Sequence, residues 1–215
     1  MKFRPTPSAF GLGLIAIASL SAASLSVISS ARADGSTERG KTLAYTCHGC
    51  HGIPNYKNAY PNYSVPKLGG QHAKYLATAL NEYATGERAH ATMYSQATTL
   101  SDQERADIAA YLQSQPVKPA EVVGTPPPAI QTCVACHGAD GAKTVTDDYP
   151  VLAGQQADYL VAALQDYKSG KRKNPVMGGI ISGVAAKDFE AIAQFFSQQR
   201  GLCSTDEIRT HGKCD

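Results

Sequence analysis

Residues 66–93 (PKLGGQHAKYLATALNEYATGERAHATM) and 150–177 (PVLAGQQADYLVAALQDYKSGKRKNPVM) align over 28 positions without a gap, and 13 of those positions are identical. A chain duplicated in this way folds as two copies of one unit, so a residue that matters in one copy should have a counterpart in the other. Between the copies, 116–129 contains five prolines. Proline removes a backbone donor and fixes φ, so this stretch predicts an extended, semi-rigid linker rather than a helix. The expected domains are therefore 34–115 and 130–200, with 201–215 as a tail. Each unit is small enough that an apolar core alone is marginal, and something besides aliphatic packing should help to hold it together.

Inside each unit the pattern is helical. Tyr75, Leu76, Ala79, Leu80 and Tyr83 recur at three- and four-residue spacing, as do Tyr159, Leu160, Ala163, Leu164 and Tyr167. Each set makes one apolar stripe. Ser101 with Glu104 three residues on reads as a capping box opening a helix that Pro116 stops, and AAKDFEAIAQFFSQQ is its counterpart. No stretch alternates as a strand does, so the expected class is all-α, with two tandem helical domains.

The duplicated chemistry is TCHGCHG at 46–52 and TCVACHG at 132–138. Both contain Cys-x-x-Cys-His: Cys47, Cys50 and His51, then Cys133, Cys136 and His137. The internal His48 is Val134 in the second copy, so the shared chemistry does not need it. A redox dithiol calls for a βαβ setting that is missing here. Zinc needs four ligands, and the 82 residues between Cys50 and Cys133 exceed the usual spacing of a zinc ribbon. Covalent haem explains the whole pattern, with two thioethers to the vinyl groups and an imidazole for the iron. Two haem c groups are expected, on Cys47 and Cys50 and on Cys133 and Cys136.

The chain has three methionines, and apart from Met1 they are Met93 and Met177, which superpose in the repeat. They lie 42 and 40 residues after His51 and His137. A lone methionine is ordinarily a core filler. A matched pair points to axial thioethers, giving His51 with Met93 and His137 with Met177 as the iron ligands. His72 pairs with Gln156 and His90 with Asn174; with His48 and His211 they fail the repeat test and are assigned solvent-facing or supporting roles.

Residues 1–33 read as a cleaved export signal: Lys2 and Arg4, an apolar stretch, then a small-x-small ending at Ala33. An uncleaved membrane anchor is the alternative. Without Lys2, Arg4 and Arg32 the basic residues fall from 20 to 17 against 18 acidic ones, a net charge of −1. That balance gives no reason to expect a nucleic-acid partner. Export also puts Cys203 and Cys214, the two cysteines outside the haem motifs, where a disulfide persists, and that bond is expected to clasp a short loop.

With its duplicated Cys-x-x-Cys-His, paired methionines and repeated P-x-L-x-G-Q-x-x-Y-L, the chain resembles the dihaem cytochrome c4 family over roughly 34–200. The resemblance implies two tandem cytochrome c-like domains, each wrapped around one covalent haem. It implies periplasmic electron carriers, soluble or loosely membrane-associated, that pass single electrons from a bc-type complex or a periplasmic dehydrogenase toward a terminal oxidase. No small-molecule substrate and no enzymatic reaction are implied. It casts Pro66 and Pro150 as carbonyl acceptors for the ligating imidazoles, Leu68 and Leu152 as haem-packing residues, and Tyr83, Tyr167, Arg88 and Arg172 as propionate or interdomain contacts. Helix-face core positions are the equal alternative for the two tyrosines. KSGKRK at 168–173 reads either as a docking patch for an acidic partner or as a solvated loop. Two other functions stand beside the carrier: a cytochrome subunit of a dehydrogenase such as flavocytochrome c sulfide dehydrogenase, and a dihaem peroxidase.

Overall fold

Helix termini in the computed structural model follow local sequence chemistry closely. The structure describes residues 1–2 and 34–214 except 61, 115, 116, 119 and 213; most of the expected export signal lies outside the described residues. Ten α-helices are present among them. In the first half these are α1 (Thr37–Leu43), α2 (His48–His51), α3 (Ala73–Thr85), α4 (Ala91–Ala97) and α5 (Asp102–Gln113). The second half has α6 (Gln131–His137), α7 (Ala157–Ser169), α8 (Pro175–Ser182) and α9 (Phe189–Ser197), and α10 (Thr205–His211) lies in the tail. Strand pairing among the described residues is limited to isolated bridges. None of the described helices is long and apolar enough to cross a membrane.

The repeated stripes become α3 and α7, each 13 residues long. Both end on a glycine in the left-handed region, Gly86 at φ +79° and Gly170 at φ +77°, whose N–H returns to the carbonyl of Tyr83 or Tyr167. A residue with Cβ is strained there, so the repeated glycine sets where both helices stop. Ser101 opens α5 with the expected capping box, its hydroxyl accepting from Glu104 N–H while the Glu104 carboxylate accepts from Ser101 N–H. Against α5 lies α1, in an approach so close that a Cβ at Gly40 would sit 1.9 Å from the carbonyl oxygen of Asp107.

The apolar side chains gather into two main cores. One joins Ile130, Leu160, Ile181, Val184, Ile192 and the phenylalanines 189, 195 and 196 of the second half. The other joins Ala44, Leu76, Ile108, Tyr111 and Leu112 of the first half with Cys203 and Ile208 of the tail. The tail therefore leaves the half it follows and packs into the half at the other end of the chain. The linker contacts the second half, with Ala120 N–H donating to Asp140 at 3.0 Å and Val123 exchanging two hydrogen bonds with the Gln199 side chain. Ala33–Asp215 accordingly forms one compact unit.

Candidate functional site

Each Cys-x-x-Cys-His motif ends a helix, and the chain then turns back so that a proline carbonyl faces the histidine ring. His51 Nδ1 lies 2.7 Å from the carbonyl oxygen of Pro66, and His137 Nδ1 lies 2.8 Å from that of Pro150. A carbonyl can only accept, so Nδ1 must carry the proton and donate. Nε2 is then left with its lone pair, the tautomer a metal ligand needs. Burial pushes both imidazole pKa values below the ordinary histidine value, opposed by the proline hydrogen bonds, so both rings are neutral at pH 7.

The four motif cysteines are not disulfide-bonded, whereas Cys203 and Cys214 are joined. Burial, aided by the neighbouring Cys136, pushes the Cys133 thiol up to about 11, and burial likewise raises that of Cys47. A dithiol oxidoreductase needs the opposite shift, toward a reactive thiolate. Among the described residues no three His, Cys, Asp or Glu side chains converge as a cluster that could hold a metal ion, which a zinc site would require.

A single cavity of about 350 Å³ runs through both halves. Its walls include Cys47, Cys50, His51 and Met93 from the first half and Cys133, Cys136, His137 and Met177 from the second. Leu68, Leu76, Leu80, Leu152, Leu160 and Leu164 line it as well. Apolar walls, unpaired thiols, a neutral imidazole with Nε2 uncommitted and a thioether in each half fit a haem.

Met93 and Met177 are positioned by a feature the repeat test missed. His90 Nδ1 accepts from Met93 N–H at 3.3 Å, and Asn174 Oδ1 accepts from Met177 N–H at 3.0 Å. Both residues are N-caps, for α4 and α8, so two different side chains at one repeat position hold the methionine-bearing turn. The detectable signal was a residue able to accept at Ncap, three before each methionine.

Between the halves the repeated residues exchange partners. Arg88 Nη2 donates to Tyr159 Oη at 2.6 Å, and Arg172 Nη2 donates to Tyr75 Oη at 2.7 Å. Each guanidinium also lies 4.5 Å from the ring centroid of a tyrosine in its own half, Tyr83 or Tyr167. Both arginines are buried, and burial disfavours their charge, joined for Arg172 by the neighbouring Arg88; the surrounding tyrosines oppose this, and both pKa values lie above the ordinary arginine value. Gln71 donates to Val151 O at 3.0 Å and accepts from Val151 N–H at 2.8 Å. Gln155 does the same with Lys67, at 2.9 Å in each direction. Outside this core, Lys57 and Ser64 meet Asp158, Lys74 meets Asp148, and His72 Nε2 lies 2.9 Å from Thr144 Oγ1.

Two expectations change. Of KSGKRK, Arg172 is buried in the interface, while Lys168, Lys171 and Lys173 are exposed, Lys168 donating to the carbonyls of Ile181, Ser182 and Val184. The basic patch loses one of its four charges to the interface. His48 is half-buried, packed edge-on against Tyr111 with its centroid 6.3 Å away, and is not a free surface residue.

A family model for cytochrome c matches the chain twice, over residues 37–116 and 129–197. Cytochrome c4 of Pseudomonas aeruginosa is 32% identical over 186 residues, spanning 77% of this chain and 89% of that protein. A thiosulfate dehydrogenase electron acceptor of Stutzerimonas stutzeri is 32% identical over 173 residues, spanning 72% of this chain and 79% of that protein. The crystal structure of reduced recombinant cytochrome c4 from Pseudomonas stutzeri superposes with a TM-score of 0.61 at 29% identity, over 79% of this chain and all of that one. In this setting the two motifs mark two covalent haem c groups, carried by Cys47 and Cys50 and by Cys133 and Cys136.

Proposed function

The chain belongs to the cytochrome c family and, within it, to the dihaem cytochromes c4; from that premise we propose that it is a periplasmic one-electron carrier with His51 and Met93 as axial ligands of one iron and His137 and Met177 of the other. When bound, each haem supplies an iron that takes up and returns one electron at a time. The chain's residues set the conditions for this. Pro66 and Pro150 fix the tautomer that presents Nε2, and His90 and Asn174 hold the turns that carry the thioethers. The leucine-lined walls keep the site in a low dielectric. A methionine paired with histidine raises the potential and fills both axial positions, which suits electron transfer better than substrate activation.

The reading rests on one observation: the same set of two thiols, a proline-anchored imidazole and a capped methionine lines one cavity from both halves. The export pattern of 1–33 and the disulfide outside the haem motifs fit an oxidising compartment. We place the carrier between a bc-type complex or a periplasmic dehydrogenase and a terminal oxidase. The relatives named as thiosulfate dehydrogenase electron acceptors favour a dehydrogenase as donor. The test is turnover: the half-reduced holoprotein should pass electrons to an oxidase preparation and leave hydrogen peroxide unconsumed. Sustained peroxide consumption would instead identify a peroxidase.

A further inference from the structure

We infer that the disulfide-closed tail, residues 201–214, is a positioning strap for His51. The inference deepens the proposed function, because it assumes that His51 is an iron ligand. Consecutive tail residues hydrogen-bond to the same repeat position in both halves. Leu202 N–H donates to Ala153 O at 2.8 Å, and Cys203 exchanges two bonds with Gly69, at 3.1 and 2.9 Å. Gly69 and Ala153 are each three residues beyond the proline whose carbonyl anchors the imidazole. The fit leaves no room for side chains: a Cβ on Gly69 would lie 2.6 Å from Cys203 Sγ, and one on Gly201 would lie 2.0 Å from Ala153 O.

In the first half the strap holds both ends of the anchoring bond. One end is the segment from Pro66 to Gly69, paired with Cys203. The other is Gly52, directly after His51, where a Cβ would lie 3.3 Å from both Asp206 Cβ and Thr205 Oγ1 at the start of α10. The tail is firmly seated there. Thr205 and Ile208 are buried, Ser204 and Glu207 form a capping box, and the disulfide returns Cys214 to Cys203. In the second half the glycine after the motif, Gly138, instead faces the backbone of Lys143 in its own loop, and the neighbouring Asp140 accepts from Ala120 of the linker, with no covalent closure. The tail also falls outside both stretches matched by the family model. Closing the disulfide therefore stiffens one haem site and not the other.

The experiment compares the parent holoprotein with Cys203→Ser plus Cys214→Ser. Proton NMR follows exchange of the two imidazole Nδ1 protons, and potentiometry follows the two one-electron waves. The strap predicts several-fold faster exchange at His51, little change at His137, and a shift of one wave only. Unchanged exchange with both waves in place, or equal changes at both sites, would overturn it. If the double variant does not fold, Gly69→Ala displaces the strap with the disulfide intact and is read in the same way. The exchange readout depends on the Nδ1 proton alone, so it separates failure of the strap from failure of the methionine assignment, which would show as a missing far-red absorption band in the parent.

Discussion

Arg88 of the first half donates to the hydroxyl of Tyr159 in the second at 2.6 Å while lying over the ring of Tyr83, and Arg172 repeats the arrangement in reverse with Tyr75 and Tyr167. Two buried cations thus face each other, and the backbones of the same two residues form an antiparallel bridge. Like charges this close are costly to bury unless their donors find partners. The tyrosines take one donor of each guanidinium across the interface, while Arg172 Nε is left buried without a partner; the two reciprocal bonds make the pairing of the halves specific.

Tyr159→Phe removes the acceptor and leaves a buried guanidinium donor without its partner. The expected cost is about 1.5–3 kcal/mol, the usual range for a hydrogen bond to a charged group. Urea unfolding of the holoprotein checks it, and Tyr75→Phe should cost a similar amount because the contact is reciprocal.

Gln155→Glu keeps an acceptor for Lys67 N–H but loses the donor to Lys67 O. A protonated carboxyl restores that donor, so the glutamate binds its proton more tightly when folded than when unfolded. Its folded pKa is raised, and the variant should gain stability relative to the parent as pH falls from 7 toward about 5. Denaturant midpoints across that range measure the trend, and a gap that widens in acid would refute the pairing.

His90→Asn should be tolerated, since asparagine caps the equivalent turn at position 174, whereas His90→Ala should cost about 1 kcal/mol. Thermal unfolding of the two variants separates a capping role from a merely bulky one.

Asp107 accepts from Ser36 N–H at 2.8 Å and from Gln103 Nε2 at 2.9 Å, and these bonds, in that order, hold its pKa below the ordinary aspartate value against the opposing effect of burial. Arg39 adds to the lowering from 3.4 Å. The native form therefore binds its proton only at lower pH than the unfolded chain. The stabilisation is complete above the ordinary carboxylate pKa and is lost as pH falls through the native one. Asp107→Asn should lower the denaturant midpoint at pH 7, and the difference from the parent should shrink as pH approaches 3.

The helices were legible because their signals are local, the duplicated stripe of α3 and α7 and the capping box at Ser101, whereas the glycines that end α3 and α7 were recognised only in the structure. The two Cys-x-x-Cys-His motifs were legible as haem sites because their signal too is local and duplicated. A repeat shows that a residue recurs; it does not show in which half its partner lies. Gln71 and Gln155 stood within the repeated stretch, yet their bonds to Val151 and Lys67 follow only from how the halves face each other. Tyr75 and Tyr159 read as members of an apolar stripe, and their hydroxyls found use only across the interface. His90 and Asn174 do one job with different atoms, which identity matching cannot detect. The tail occurs once, so no repeat could reveal that the short loop its disulfide closes packs into the first half.

The central claim is that each half holds its iron between histidine and methionine. The most direct test is the visible spectrum of the oxidised holoprotein, in which methionine-ligated ferric haem gives a weak far-red charge-transfer band. The parent should show it, Met93→Ala and Met177→Ala should each retain about half of its intensity, and the double variant should lack it. A parent without the band, or a double variant that keeps it, would contradict the assignment of Met93 and Met177.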